Sequence, residues 1–376
     1  MSELIPVNEP KLGARELEYV TEAVESGWIS SAGRYIEEFE AGWAAYCGRR
    51  HGIAVSNGTT ALHAAVAALG LGPGDEVILP TFTIVSCVTA VLAVGAVPVL
   101  VDSDPALWTM DVGQLEARVT EKTRAVMPVH MYGHPVEMDP LLELAERRGL
   151  TVLEDAAEAH GAEYRVGNGE WQRCGSFGAM STFSFYANKL VTTGEGGMVV
   201  TDDDALAERL RSLRNLGFNA DRRFHHLELG FNFRLTNLQA ALGVAQLERI
   251  GEIVARKREV AAMYTAGLAA IEGLQLPSEA PWARSVFWMY GLVVDEATGL
   301  DAVELAARLR ERGVDTRPFF LGMHEQPALH ELGLFRDETY PVAERLARQG
   351  LYLPSGLALT DEQVERVCGA LREALA

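Results

Sequence analysis

The sequence predicts an α/β chain: a large domain built on a mostly parallel mixed sheet, followed by a smaller α+β domain. Three observations predict it. Between about residues 50 and 200, short apolar runs alternate with helical stretches, the pattern of a sheet covered by helices on both faces. Beyond residue 202 the texture shifts to long stretches rich in Ala, Leu, Glu and Arg at helical spacing. A length of 376 residues suits two or three lobes rather than one core.

Taken in order, residues 13–26 read as a helix closed by Gly27 at a left-handed cap, and 35–46 as a second helix. Strands are expected at 52–55, 76–79, 97–101, 125–129, 151–154, 181–185 and 197–201. Helices such as 59–69 and 140–148 fit between them. Helical residues 206–216 and 235–268 follow, the second stretch broken near Gly251. The remainder reads as a strand at 287–294, a helix at 302–312, a strand at 315–317 and two final helices. A boundary near 245–255 gives domains at 1–250 and 251–376.

Composition narrows the class. Apolar residues at 48% and charged residues at 23% describe an ordinary globular chain. A net charge of −19 repels nucleic acid and anionic membrane surfaces, while a locally positive pocket can still take a small phosphorylated molecule. Cys47, Cys87, Cys174 and Cys368 form no close pair, which fits a reducing, cytoplasmic setting. The first residues lack a basic stretch leading into an apolar one, and the apolar run 87–101 is broken by Gly95 and Pro98. No membrane span is expected.

Basic residues are nearly all arginine; the lysines are Lys11, Lys122, Lys189 and Lys257. Chemistry that needs a neutral amine must therefore use one of these or the N-terminus. Lys11, Lys122 and Lys257 sit among polar neighbours and read as solvated. Lys189 lies in STFSFYANKLVTTGEGGMVVTDD (181–203), in a small, mostly uncharged turn between two strands, where desolvation makes an amine nucleophilic. In SNGTTALHAAVAAL (56–69), Gly58 and Thr59 open a helix whose unpaired amides suit a phosphate; a plain N-cap is the alternative. In TVLEDAAEAHGAEY (151–164), Asp155 ends a buried strand, where α/β sheets place ligand groups, or else caps a helix. Glu154 points to the opposite strand face and reads as structural.

A phosphate cup, an acid to keep a pyridine nitrogen protonated and a lysine for a Schiff base form the inventory that pyridoxal 5′-phosphate requires. Further segments support it: GWISSAGRYIEEFE (27–40), LEDAAEAHGA (153–162), RLTNLQAALGVAQLERI (234–250) and DTRPFF (315–320). On these motifs, and over nearly its whole length, the chain resembles the sugar aminotransferases of the DegT/DnrJ/EryC1/StrS family. The resemblance implies the aspartate-aminotransferase-like architecture, fold type I among pyridoxal-phosphate enzymes. It implies that Lys189 carries the cofactor and shuttles protons, and that Asp155 pairs with the pyridinium nitrogen. Gly58, Thr59 and Ser184 would hold the phosphate, together with Asn232 supplied by the neighbouring subunit of a homodimer. Glu158 would lie close to the cofactor's 3-hydroxyl, a position often occupied by Gln in the family. Ile84 stands where many relatives stack an aromatic ring, so either aliphatic packing replaces the ring or Phe82 shifts. Sugar dehydratases of the family carry His in place of the lysine, so Lys189 favours transamination.

The implied substrates are L-glutamate and a nucleotide-linked keto-deoxyhexose, with GDP-4-keto-6-deoxymannose first among the candidates. A dTDP-linked sugar, a 3-keto sugar, a cyclitol ketone, or a cofactor-binding regulatory role without turnover remain alternatives. Arg222 and Arg223, in RRFHH, read as a clamp on a nucleotide diphosphate or as a solvated loop. Arg317 and His324 follow a strand of the small domain and are candidate substrate contacts. His130 and His134 lack metal-site spacing, so no metal is expected.

Overall fold

Helices α1 (Ala14–Glu25) and α2 (Arg34–Cys47) come first. Each ends at a glycine in the left-handed region, Gly27 at φ 75° and Gly48 at φ 73°, where a side chain would be strained. The computed structural model describes residues 4–167, 169–218, 222, 224–226 and 228–375.

From β1 (His51–Val55) the chain alternates strand and helix: α3 (Gly58–Ala68), β2 (Glu76–Pro80), α4 (Val85–Ala93), β3 (Val97–Val101), α5 (Leu115–Arg118), β4 (Thr123–Val126), α6 (Met138–Arg148) and β5 (Thr151–Asp155). A hairpin of β6 (Glu163–Arg165) and β7 (Trp171–Arg173) precedes β8 (Met180–Ser184) and β9 (Gly197–Thr201). Seven strands form one sheet in the order β1-β9-β8-β5-β4-β2-β3. Only β9 runs against its neighbours; β8, β5, β4, β2 and β3 pair in parallel. Helices cover both faces, so the central strands are buried and read as continuous apolar runs rather than alternating ones. The expected sheet is present with every one of its strands.

After α7 (Asp204–Arg214), the predicted long helix is two: α8 (Asn237–Glu248) and α9 (Ile250–Leu268). The break falls at Arg249, whose φ −117° and ψ 18° leave the helical region. The C-terminal part contains β10 (Leu274–Gln275), β11 (Ala283–Arg284), β12 (Tyr290–Val294), α10 (Ala302–Glu311), β13 (Arg317–Pro318), α11 (Pro327–Glu331), α12 (Pro341–Gln349), β14 (Gly350–Leu353) and α13 (Asp361–Leu375). Two expectations differ here. The strand predicted from 287 starts at Tyr290, because Phe287 sits at φ 46°. And β14, an inner strand of the sheet β10-β12-β14-β13, follows α12 directly at Gly350, where a further helix was expected.

A C-terminal core of Tyr264, Leu292, Leu305, Leu351 and Val367 also takes in Ile5, whose backbone pairs with Gly313 and Asp315. The N-terminal segment thus packs with the far end of the chain. Among the described residues, no helix is long and apolar enough to cross a membrane.

Candidate active site

Strands β1, β2, β5 and β8 run in one direction, so their carboxyl ends meet at one edge of the sheet. There they deliver the SNGT turn, Ile84, Asp155 and Ser184 to a cavity of about 440 Å³. Gly58, Thr59, Ala157, Glu158, Asn188, Lys189, Trp288, Phe320 and Tyr352 complete much of its wall.

At one end lies the first turn of α3. Asn57 Oδ1 accepts the Thr60 N–H at 2.8 Å, and the Asn57 carbonyl takes that of Ala61. The Gly58 and Thr59 amides, which have no intrahelical acceptor, remain available to a ligand. The segment is a cap, and it also opens on the cavity. Gly58 is required by packing, because a Cβ there would stand 2.6 Å from Ser184 Cβ. Gly197 on β9 is required too, since its Cβ would meet the Asn57 carbonyl oxygen at 2.3 Å. These two glycines let the helix end, with its partial positive charge, approach the Ser184 hydroxyl.

Deeper in, Asp155 is buried, with Oδ1 accepting the Ala157 N–H at 3.0 Å and Oδ2 facing Cys87 Sγ at 3.2 Å. A thiol is a weak donor. Burial holds the Asp155 carboxyl above its ordinary range, so a cationic N–H would be a better partner than any now present.

Lys189 projects from the turn after β8. Its Nζ lies 3.7 Å from Glu158 Oε1 and 3.6 Å from the ring centroid of Trp288. Burial lowers the amine's proton affinity against the opposing pull of Glu158 and Asp155. Glu158 is pushed up to about 7 by burial, and its Oε2 accepts the Tyr132 N–H at 2.8 Å. Tyr132 is held at φ 52°, a strained conformation for a non-glycine residue that aims this amide at the carboxylate. The buried Oδ1 of Asn188, in the same wall, has no partner among the described residues.

Several expected residues are not brought here. His324 is buried away from the cavity, with Nδ1 2.8 Å from Thr81 Oγ1 and Nε2 3.3 Å from Glu344 Oε1. Both ring nitrogens serve the fold, which corrects the expectation of substrate contact. Arg317 is exposed and bonds Asp315 at 2.8 Å, although its strand neighbour Tyr352 lines the cavity. Arg222 is exposed, and Arg223 lies outside the described residues. Asn232 is exposed outside its own chain's cavity and accepts hydrogen bonds from Arg234. Ile84 lines the cavity, whereas Phe82 is fully buried against Tyr132, Phe319 and Phe320. Of the two alternatives for that face, aliphatic packing fits.

Glu154 does face away from Asp155. It accepts from Ser181 Oγ at 2.6 Å and from the amides of Gly175 and Phe177. His130 Nδ1 accepts the Val136 N–H, so Nε2 carries the proton given to Glu154. His130, Glu154 and Cys174 are close enough to suggest a metal, but hydrogen bonds already occupy the Glu154 oxygens and both His130 nitrogens. Lys257, expected at the surface, is buried. Its Nζ donates to the Trp288 carbonyl at 2.7 Å and also to the Ser355 carbonyl. Trp288 escaped sequence reasoning altogether, having no motif around it.

Fold and site together define a pyridoxal-phosphate enzyme of the aspartate-aminotransferase type. The residues suit pyridoxal phosphate: a dianionic phosphate would meet the open amides of α3, a ring nitrogen the under-partnered Asp155, and an aldehyde the buried Lys189. The chain belongs to the DegT/DnrJ/EryC1/StrS aminotransferase family, whose model matches residues 10–372. It is 44% identical over 378 residues to a GDP-perosamine synthase of Caulobacter vibrioides, covering 100% of each chain. It is 40% identical to the dTDP-3-amino-3,4,6-trideoxy-alpha-D-glucose transaminase of Streptomyces venezuelae, over 98% of this chain and 96% of that one. Its structure is similar to S. venezuelae DesV in complex with a ketimine intermediate: TM-score 0.92, 38% identity, 100% and 99% of the two chains covered. The PLP-form of a putative sugar aminotransferase, Spr1654 of Streptococcus pneumoniae, gives a TM-score of 0.91 at 25% identity, over 99% and 98%. The chain is a pyridoxal-phosphate-dependent sugar aminotransferase.

Proposed function

We propose that the enzyme moves the amino group of L-glutamate to C4 of GDP-4-keto-6-deoxymannose, giving GDP-perosamine. The observation that carries this reading is full-length identity of 44% to a GDP-perosamine synthase, joined to a cavity that assembles Lys189, Asp155 and the α3 amides.

Bound pyridoxal phosphate supplies an electron sink for the pair left behind when a proton leaves the nitrogen-bearing carbon. The chain's residues do the rest. Gly58 and Thr59 amides and the Ser184 hydroxyl hold the phosphate. Asp155 keeps the ring nitrogen protonated by accepting its N–H. Ile84 and Ala157 give the cavity apolar lining on which the ring can lie. Lys189 anchors the cofactor and, once released, takes a proton from substrate carbon on Nζ and returns it. Its depressed proton affinity suits both directions, since an amine that binds its proton too tightly cannot give it back. Glu158, 3.7 Å from Lys189 Nζ, would face the 3-hydroxyl of the ring.

The working unit in this proposal is a cytoplasmic homodimer with shared sites. Asn232 stands outside its own cavity, and Leu17, Val24, Trp28, Ile29 and Leu229 are exposed apolar side chains that a second copy would cover. Arg222, Arg223 and Arg317 are proposed as nucleotide contacts at such a shared site.

The Streptomyces relative favours a second reading, a dTDP-linked 3-keto sugar. Incubation with L-glutamate and each keto sugar nucleotide separates the two. Amination of the GDP-4-keto sugar alone supports the first, and exclusive use of the dTDP-3-keto sugar overturns it.

A further inference from the structure

Lys257 is a buried lysine that the reaction does not use, and it lies directly behind the reactive one. From α9 it donates to the carbonyls of Trp288 and Ser355. Trp288 in turn donates its indole N–H to the Asn188 carbonyl at 2.8 Å, one residue before Lys189. Asn8 Nδ2 donates to the same carbonyl at 3.3 Å. The indole ring face then lies 3.6 Å from Lys189 Nζ. A ring face this close attracts an ammonium and not a neutral amine, most strongly where water is excluded. The indole therefore touches Lys189 twice, through its ring and through the backbone at 188, and Lys257 fixes the place from which it does so.

We propose that Trp288, anchored by Lys257, is a positioning residue that favours the ammonium form of Lys189 at the cavity wall. The reaction needs that form, because Lys189 must hold a proton between taking it from carbon and returning it. The other groups facing Lys189 are Glu158 and Asp155 from the β5 end, Cys87 on α4 and His160 beneath the turn. Among the described residues Trp288 hydrogen-bonds none of these groups, and its ring stacks on Tyr132, whose N–H holds Glu158. Around Lys257, the small gap it shares with Lys189 and Trp288 also contains Asn8 and Glu9.

The inference rests on Lys189 being the reactive amine, yet its test needs no turnover. The chain has four lysines, so lysine labelled with ¹³C at Cε gives four resonances in the full-length, cofactor-free protein. Lys189→Ala assigns one of them. In Trp288→Leu the Lys189 midpoint falls by about one pH unit, a tenfold loss of proton affinity. Trp288→Phe keeps a ring face and shifts it less. Lys257→Met lowers the midpoint in the same direction, and Lys257→Arg, which keeps donors for both carbonyls, restores it. An unmoved midpoint in Trp288→Leu overturns the role of the ring. An unmoved midpoint in Lys257→Met, or one displaced in Lys257→Arg, overturns the anchor. Failure of the sugar assay leaves these readings intact, so the two proposals fall separately.

Discussion

At the scale of single residues, the site works by withholding water from groups that would otherwise titrate far apart. Burial lowers the proton affinity of Lys189 and raises that of Glu158 to about 7, so amine and acid are drawn toward each other. The Glu158 shift has a consequence for stability. An unfolded glutamate loses its proton near its ordinary 4.5, whereas the folded one keeps it to about 7. The native chain therefore binds more protons in that window, and stability falls as pH rises from 4.5 to 7. Glu158→Gln flattens this slope by up to about 1.4 kcal/mol per pH unit, measurable by urea unfolding of the cofactor-free protein. Lys189 was legible because a rare lysine stood in an uncharged turn. Lys257 was misread because its neighbours, Arg256 and Arg258, suggested a solvated charge run. The signal was present in the spacing: 253, 257, 260, 261, 264 and 268 form the buried stripe of α9. His324 had no such signal, since its partners Thr81 and Glu344 come from distant segments.

At the scale of elements, the anion cradle depends on how closely α3 approaches β8 and β9. Gly197→Ala places a methyl against the Asn57 carbonyl and the Gly58 nitrogen, at 2.3 and 3.0 Å from ideal positions. The backbone of the helix cannot yield as a side chain end can. The substitution should cost about 1–3 kcal/mol of stability and weaken cofactor binding at least tenfold. Thermal unfolding and absorbance titration with pyridoxal phosphate check the two effects; normal affinity at wild-type stability would contradict the cradle. The alternation that announced the large sheet was readable because parallel strands buried on both faces leave continuous apolar runs. β14 and the β6–β7 hairpin were not, since strands of four and three residues are too short to show a period, even with Gly167 and Gly169 between β6 and β7 and with Gly350 and Pro354 bounding β14.

At the scale of the whole molecule, the chain presents a cavity that its own Asn232 does not reach and exposed apolar side chains that a second copy would cover. A shared site makes a specific prediction for mixed subunits. Lys189→Ala and Asn232→Ala each inactivate or cripple their own dimers, yet a hybrid contains one site with both native residues. Refolding the two variants together should recover about a quarter of wild-type activity, since half of randomly paired dimers are hybrids with one good site. No recovery would argue that Asn232 acts within its own chain. Assembly of this kind lay beyond the periodicity of the sequence and entered only through the family resemblance. The function depends on which amine holds the cofactor, and Lys257 is the other buried lysine, lowered to about 7 by burial. Borohydride reduction of the purified enzyme, followed by peptide mass spectrometry, decides the matter. The pyridoxyl phosphate adduct should appear on the peptide carrying Lys189; an adduct on Lys257, on another lysine or on none would contradict the account.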